Sequence, residues 1–229
     1  MKRLNNSIQI SCDGGAATGK STGAKMIAKK YKLKFLSSGL LYRYAGFLII
    51  KKKPRDKINF IKLKFKNLNY IKLEKINLHT PEISEYSAKI AKNNNIRKIL
   101  KKFQIDFSKK NKNCCIEGRD ISTKILPHSD IKFFFKCNLN TAANRRYKEL
   151  KKNNPKIELT NVKKALRIRN ISDTKRKNSP LLRHRDSVEI DTGKLDKLAM
   201  LAKMSKFVES TLKKKYGNRT RNKKHKSTS

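Results

Sequence analysis

Residues 13–22 read DGGAATGKST, from Asp13 to Thr22. Gly14, Gly19, Lys20 and Ser21 fall on the spacing G-x-x-x-x-G-K-[ST], which is that of a phosphate-binding loop. Glycines let such a loop wrap tightly, so that successive backbone N–H groups can face phosphate oxygens. On this reading Gly14, Gly15, Ala16, Ala17, Thr18, Gly19, Lys20, Ser21 and Thr22 surround the phosphates of ATP. Lys20 reaches the β- and γ-phosphates, and the Ser21 hydroxyl is a ligand for Mg²⁺. The flanks agree. Ser7 to Cys12 reads as a buried strand with Ile8, Ile10 and Cys12 alternating. Ala24, Ile27, Ala28 and Tyr31 then recur at helical spacing. A helix that starts at the loop adds its own partial positive charge to the site.

Working outward, composition bounds the rest. A chain of 229 residues with 37% apolar content can bury one proper core, with room for an insertion. No run approaches a membrane span, and the first strand begins too early for a signal peptide. Cys12, Cys114, Cys115 and Cys137 lie in strand-like apolar stretches, without a CxxC pair or a histidine at ligand spacing. That pattern implies reduced thiols and a cytoplasmic protein.

The formal net charge is +42. Such a chain binds nucleic acid non-specifically at low salt. The lysines, however, run along almost the whole chain instead of forming one stripe. The 59 basic residues divide into 45 Lys and 14 Arg. Lysine is this chain's default surface charge, so the arginines are the informative positions. Only arginine offers a planar, bidentate fork for phosphate.

Strand and helix signals alternate around the loop. Lys34 to Leu36 reads as a short strand, and Ser37 to Arg43 (SSGLLYR) opens a helix running to about Ile50. Ile58 to Leu78 alternates apolar and basic residues, which predicts a small hairpin with one wet face. Helices are expected over about 81–92 and 95–108, strands over 113–116 and 130–137, and helices over 141–152 and 160–177. A last strand follows at 188–190 and a last helix at 194–216. The fold class is therefore α/β: a three-layer core with a parallel sheet around the phosphate loop. Residues 1–50 and 111–216 form the core, with a helical lid at about 153–180. Residues 51–110 form an inserted subdomain, and residues 217–229 a disordered basic tail.

The series of motifs carries a resemblance. The phosphate loop, SSGLLYR, EGRD (117–120), NRRYKEL (144–150) and RIRNISDTKRKNSPL (167–181) stand in the order of bacterial cytidylate kinase, over about residues 7–210. The chain is similar to that family of nucleoside monophosphate kinases. The resemblance implies transfer of a phosphoryl group from ATP to CMP or dCMP with Mg²⁺, a monophosphate-binding insertion, a mobile lid and a monomer. It implies catalytic roles for Lys20, Arg119, Arg169 and Arg176. It implies a CMP site of Ser38, Tyr42, Arg43, Arg97, Arg119, Asp120, Arg169, Asp173 and Arg176. The chemistry agrees, because phosphoryl transfer needs positioning and charge neutralisation more than covalent help. Arg145 or Arg146 could supply a further fork. Arg169, Asp173 and Arg176, at i, i+4 and i+7, are expected on one helical face.

The chain departs from the family at four points. Ser37 and Asn170 stand where the family usually has Asp, His79 where it has Arg, and Ala88 where it has a base-contacting Ser. These touch base selectivity more than phosphate handling. Two other classes fit less of the chain. One is a phosphate-loop kinase for UMP or another small acceptor, such as an adenylate or shikimate-type kinase. The other is a basic nucleic-acid-binding protein, which would need exposed aromatics for base stacking; the FFF and FIKLKF stretches look directed into the core instead.

Overall fold

The strand that enters the phosphate loop, β1 (Gln9–Gly14), is buried on both faces. Ile10 and Cys12 point to one side and Ser11 and Asp13 to the other, all four fully buried. A strand covered on both faces belongs inside a parallel sheet with helices above and below. The computed structural model describes residues 7–152 and 154–217, and β1 is its central strand. The other strands are β2 (Lys34–Ser37), β3 (Cys114–Gly118), β4 (Ile131–Lys136) and β5 (Val188–Asp191). Their order is β2-β3-β1-β4-β5, with every pairing parallel.

The helices in chain order are α1 (Lys20–Lys30), α2 (Ser38–Lys52), α3 (Lys57–Lys66), α4 (Pro81–Ile90), α5 (Asn94–Lys110), α6 (Leu139–Lys151), α7 (Leu159–Lys175) and α8 (Lys197–Tyr216). On one face of the sheet, Ile27 of α1 and Met200, Met204 and Val208 of α8 pack with Ile10, Phe133 and Phe135. On the other face, Leu41 and Ile49 of α2, Ile61 and Phe65 of α3, Ile83 of α4 and Leu100 of α5 form one cluster with Leu36 and Ile116. Truncating a fully buried member such as Leu100 to Ala should cost about 2–5 kcal/mol. A third, smaller cluster joins Ala142 and Ala143 of α6 and Val162 and Leu166 of α7 to Ala16 of the phosphate loop.

The hairpin expected at 58–78 is not formed. That stretch is α3 followed by a short 3-10 helix, Tyr70–Lys75. The apolar residues of FIKLKFK satisfy a period of two, but Ile58, Ile61 and Phe65 also satisfy a helical face. The Asp56 side chain decides the local outcome by accepting from the N–H groups of Ile58 and Asn59, both at 3.0 Å. Ile61 and Phe65 go inward and Leu63 stays exposed, as a helix requires and a hairpin does not. The expected tail was residues 217–229; residues 218–229 lie outside the described residues.

Parallel pairing brings the carboxyl ends of the strands to one edge of the sheet. Such edges are where open α/β folds place their ligands. Gly15–Thr22, Ser38–Arg43, Arg119–Asp120 and Thr192 all follow strand ends there.

Candidate active site

The phosphate loop is shaped by close packing beneath it. A Cβ on Gly14, whose φ is 156°, would lie 2.4 Å from the Phe135 carbonyl oxygen, so only glycine fits. Asp13, directly before it, has no exposure. Its carboxylate accepts from Ile121 N (2.8 Å), Ser122 N (2.7 Å) and Ser122 Oγ (2.6 Å). These bonds tie the loop to the π-type turn Ile121–Ile125, which follows Arg119 and Asp120. Burial raises the Asp13 pKa, opposed by the hydrogen bonds from Ser122 and Ile121.

Lys20 opens α1 and is buried, ion-paired through Nζ with Glu117 Oε2 at the end of β3. Ser37 Oγ donates to the other oxygen of Glu117. Burial lowers the Lys20 pKa, while the Glu117 charge pulls it back up. Burial alone would raise Glu117, but the Lys20 charge and the bonds from Lys20 and Ser37 hold it down to about 2.

Facing the loop across a cleft of about 770 Å³ is a second group of charged side chains. Arg97 Nη2 donates to Asp120 Oδ2 at 2.6 Å, and Arg119 Nε to Asp173 Oδ2 at 2.9 Å. Arg176 approaches Asp173 Oδ1 at 3.4 Å and Asp120 Oδ1 at 3.9 Å. Arg97 also lies over the Tyr42 ring, 5.7 Å from its centre. Burial pushes the Tyr42 hydroxyl up to about 12, against the pull of Arg97. Asp173 is lowered: burial would raise it, but the charge and hydrogen bond of Arg119 and the charges of Arg169 and Arg176 together outweigh that effect.

The arginines nearest the middle of the cleft are under-compensated. Arg43 donates to Leu78 O (3.0 Å) and Ser84 Oγ (2.8 Å), both neutral. Burial, then the charges of Arg169, Arg146 and Arg119, bring its pKa down to about 9. Arg169 is brought down to about 10 by burial and then Arg119, against Asp173. Arg176 Nη2 is buried without a hydrogen-bond partner. A buried donor without an acceptor is costly, and this one belongs to a side chain that lines the cleft.

Every residue expected around CMP, from Ser38 to Arg176, lines this cleft, as do Gly15 to Thr22. Gly14 sits beneath them against β4. One geometric expectation is corrected. Arg169 and Asp173 share a face of α7, but the helix ends at Lys175, and Arg176 has extended backbone at ψ 138°. Ser179-Pro180 lies just beyond, and Arg176 Nε turns to donate to Ser179 O.

Sequence reasoning passed over Glu117 and Thr192, which the fold brings here together with His79 and Arg145. Glu117 is the most important; a carboxylate closing an otherwise buried strand was the available signal. His79 lines the cleft, and burial and then Arg43 lower its pKa, so it is neutral at pH 7. Arg145 spends both arms of its fork on Thr192, at 2.8 Å to Oγ1 and 2.7 Å to the carbonyl. Thr192 Oγ1 in turn donates to Thr18 O at 2.8 Å. Only the spatial meeting of α6, β5 and the loop reveals that link.

A phosphate loop on a parallel sheet, facing a second cationic cluster across one cleft, defines a P-loop kinase of the nucleotide-phosphorylating class. The chain belongs to the cytidylate kinase family, whose model matches residues 10–210. It is 33% identical over 225 residues to the cytidylate kinase of Clostridium tetani, covering 93% of this chain and 99% of that one. It is 35% identical over 206 residues to that of Bartonella tribocorum, covering 89% and 95%. In fold it is similar to the crystal structure of an uncharacterized protein from Eubacterium ventriosum, with a TM-score of 0.54 at 15% identity, covering 90% of this chain and 99% of that one.

Proposed function

We propose that the protein transfers the γ-phosphoryl group of ATP to CMP and dCMP in the cytoplasm. The observation that carries this reading is the convergence of Arg43, Arg119, Arg169 and Lys20, whose charges repel one another across the space the phosphate loop faces. Such a cluster is relieved by anions. Two phosphate groups meeting head-on present the excess negative charge that it can stabilise as transfer proceeds.

In this reading Gly15 to Thr22 hold the ATP phosphates, and Lys20 exchanges Glu117 for phosphate oxygen. Arg43 and Arg119 take the acceptor phosphate, with Arg169 and Arg176 closing on the transferred group from the lid. Ser38, Tyr42, Arg97, Asp120 and Asp173 orient the acceptor nucleoside, and the insertion at 51–110 forms its outer wall. The site suits Mg²⁺ bound chiefly by phosphate oxygens: Ser21 offers a hydroxyl at the cleft, and among the described residues no cluster of three His, Cys, Asp or Glu could form an all-protein cage. Magnesium retains waters and takes few protein ligands, so Ser21 would help to hold it, and it would supply charge neutralisation for the phosphates. A phosphotransfer assay with ATP and a panel of CMP, dCMP, UMP, AMP and GMP tests the proposal. Fast use of CMP and dCMP supports it. Equal ATP turnover with and without a monophosphate, or AMP used as well as CMP, would overturn it.

A further inference from the structure

The lid helix touches the phosphate loop through a single hydrogen bond among the described residues. Ala16 N donates to Asn170 Oδ1 at 3.2 Å. The direction is unambiguous, because a backbone N–H needs an acceptor and only the carbonyl arm of the amide supplies one. The contact is prepared on both sides. Ala16 is packed under Leu166, one turn before Asn170 on the same face of α7. Gly15 lacks the Cβ that would stand 3.2 Å from Asn170 Oδ1, tighter than ordinary contact. The second glycine of GGAATG thus leaves room for the amide to reach the loop.

The neighbours of Asn170 give this contact its consequence. Arg169 precedes it, and Asp173 lies three residues on, bonded to Arg119 at 2.9 Å. A helix moves as a rigid body, so where Asn170 docks decides where Arg169 and Asp173 stand over the cleft. We propose that Asn170 is a positioning residue for phosphoryl transfer, docking the lid helix on the loop through its side-chain carbonyl. The inference rests on the kinase reading above and adds to it the element that registers the lid against the donor site.

Docking through an acceptor makes a discriminating series. Asn170→Ala removes the acceptor, whereas Asn170→Asp keeps one. One hydrogen bond sets the scale, so Asn170→Ala should lower kcat by about fivefold to tenfold. KM for ATP should change by less than about twofold, because the loop's phosphate contacts remain. Asn170→Asp should restore kcat relative to Asn170→Ala. Gly15→Ala should cost less in the Asn170→Ala background than alone, since both changes act on one contact.

Hydrogen exchange at the Ala16 amide of the free protein reads the docking without any turnover. It should speed up in Asn170→Ala and stay slow in Asn170→Asp. Unaltered exchange at Ala16 in Asn170→Ala, unaltered kcat, or an Asn170→Asp variant as impaired as Asn170→Ala each overturns the proposal. Failure of the parent protein to phosphorylate CMP overturns the kinase reading and the positioning role together, while the exchange result still decides whether the amide docks the lid.

Discussion

Arg176→Lys keeps the charge of the side chain and removes its geometry, which matters in a chain with a formal net charge of +42. The guanidinium has three separate commitments: Nε to Ser179 O, Nη1 toward Asp173 Oδ1 at 3.4 Å, and a buried Nη2 that makes no hydrogen bond and lies 3.9 Å from Asp120 Oδ1. A lysine ammonium at the end of a flexible stem cannot occupy the three directions at once. The donor lost to the ligand is the one that matters for catalysis. A hydrogen bond to a charged group contributes about 1.5–3 kcal/mol, so kcat/KM for CMP should fall by about tenfold to a hundredfold. KM for ATP should move less than about twofold, because Arg176 lies among Tyr42, Asp120 and Asp173, away from the loop. Losing the Ser179 contact costs about 1 kcal/mol, or about 2–4 °C in Tm for a domain of this size. Arg185→Lys is the control: its side chain is 91% exposed, 3.6 Å from Asp186, itself 63% exposed. Steady-state kinetics with thermal melting on both variants is the assay. If Arg176→Lys is as silent as Arg185→Lys, the guanidinium is a surface cation and its part in the clamp is refuted.

Three other outcomes follow from the same site. Lys20→Ala should abolish most transfer, by about a hundredfold or more, and should also lower Tm, because Glu117 is left buried and unpaired. The double variant Lys20→Met/Glu117→Gln should recover Tm without activity, and a double variant that melts as low as Lys20→Ala would count against the pair's energetics. Glu117 has its pKa depressed in the fold to about 2 from 4.5. Its contribution to stability is therefore fully present above about pH 4.5 and lost as pH falls toward 2; denaturant titrations should show that acid limb flattened in Glu117→Gln. Ala88 lines the cleft without a hydroxyl, and Ser87 Oγ beside it is already committed to Ser84 O at 2.7 Å. Ala88→Ser should raise the CMP-over-UMP ratio of kcat/KM by about threefold to tenfold, and an unchanged ratio in a nucleotide panel would remove Ala88 from the account of selectivity.

The legible parts of the fold were those whose signal is local. The phosphate loop carries its own spacing, and β1 and β4 are short apolar runs bounded by polar turns, so their strand character needed no tertiary information. The arginines stood out because lysine fills most undemanding basic positions. The stretch 58–78 misled for an equally local reason: a short alternation of apolar and basic residues fits two periods, and the choice rested on a cap at Asp56 and on the cluster awaiting Ile61 and Phe65. Glu117, Asn170 and the Arg145–Thr192 link were hidden differently. Each matters only through a partner roughly fifty to a hundred and fifty positions away, which parallel strand ends and the packing of α7 on the phosphate loop bring within hydrogen-bond distance. Spacing along the chain holds no trace of that.

The distribution of the two basic residue types ties composition to chemistry. Among the described residues, seven of the 11 arginines line the cleft, against three of the 41 lysines. If the clustered charge merely reflected a basic chain, lysine would dominate the cleft as it dominates the surface. The physical difference explains the sorting. A guanidinium is more weakly hydrated than an ammonium, so stripping its water costs less, and its flat fork can serve a carboxylate and a phosphate from different edges. Arg119 and Arg176 show this by holding Asp173 with one edge and leaving another toward the cleft. The surface lysines cannot substitute at a distance, because salt at physiological strength screens charge beyond about 8 Å. Lys20 differs from the surface lysines: it is buried and ion-paired with Glu117, and in the proposed reaction it would supply a point charge to the phosphates, for which a fork is not needed.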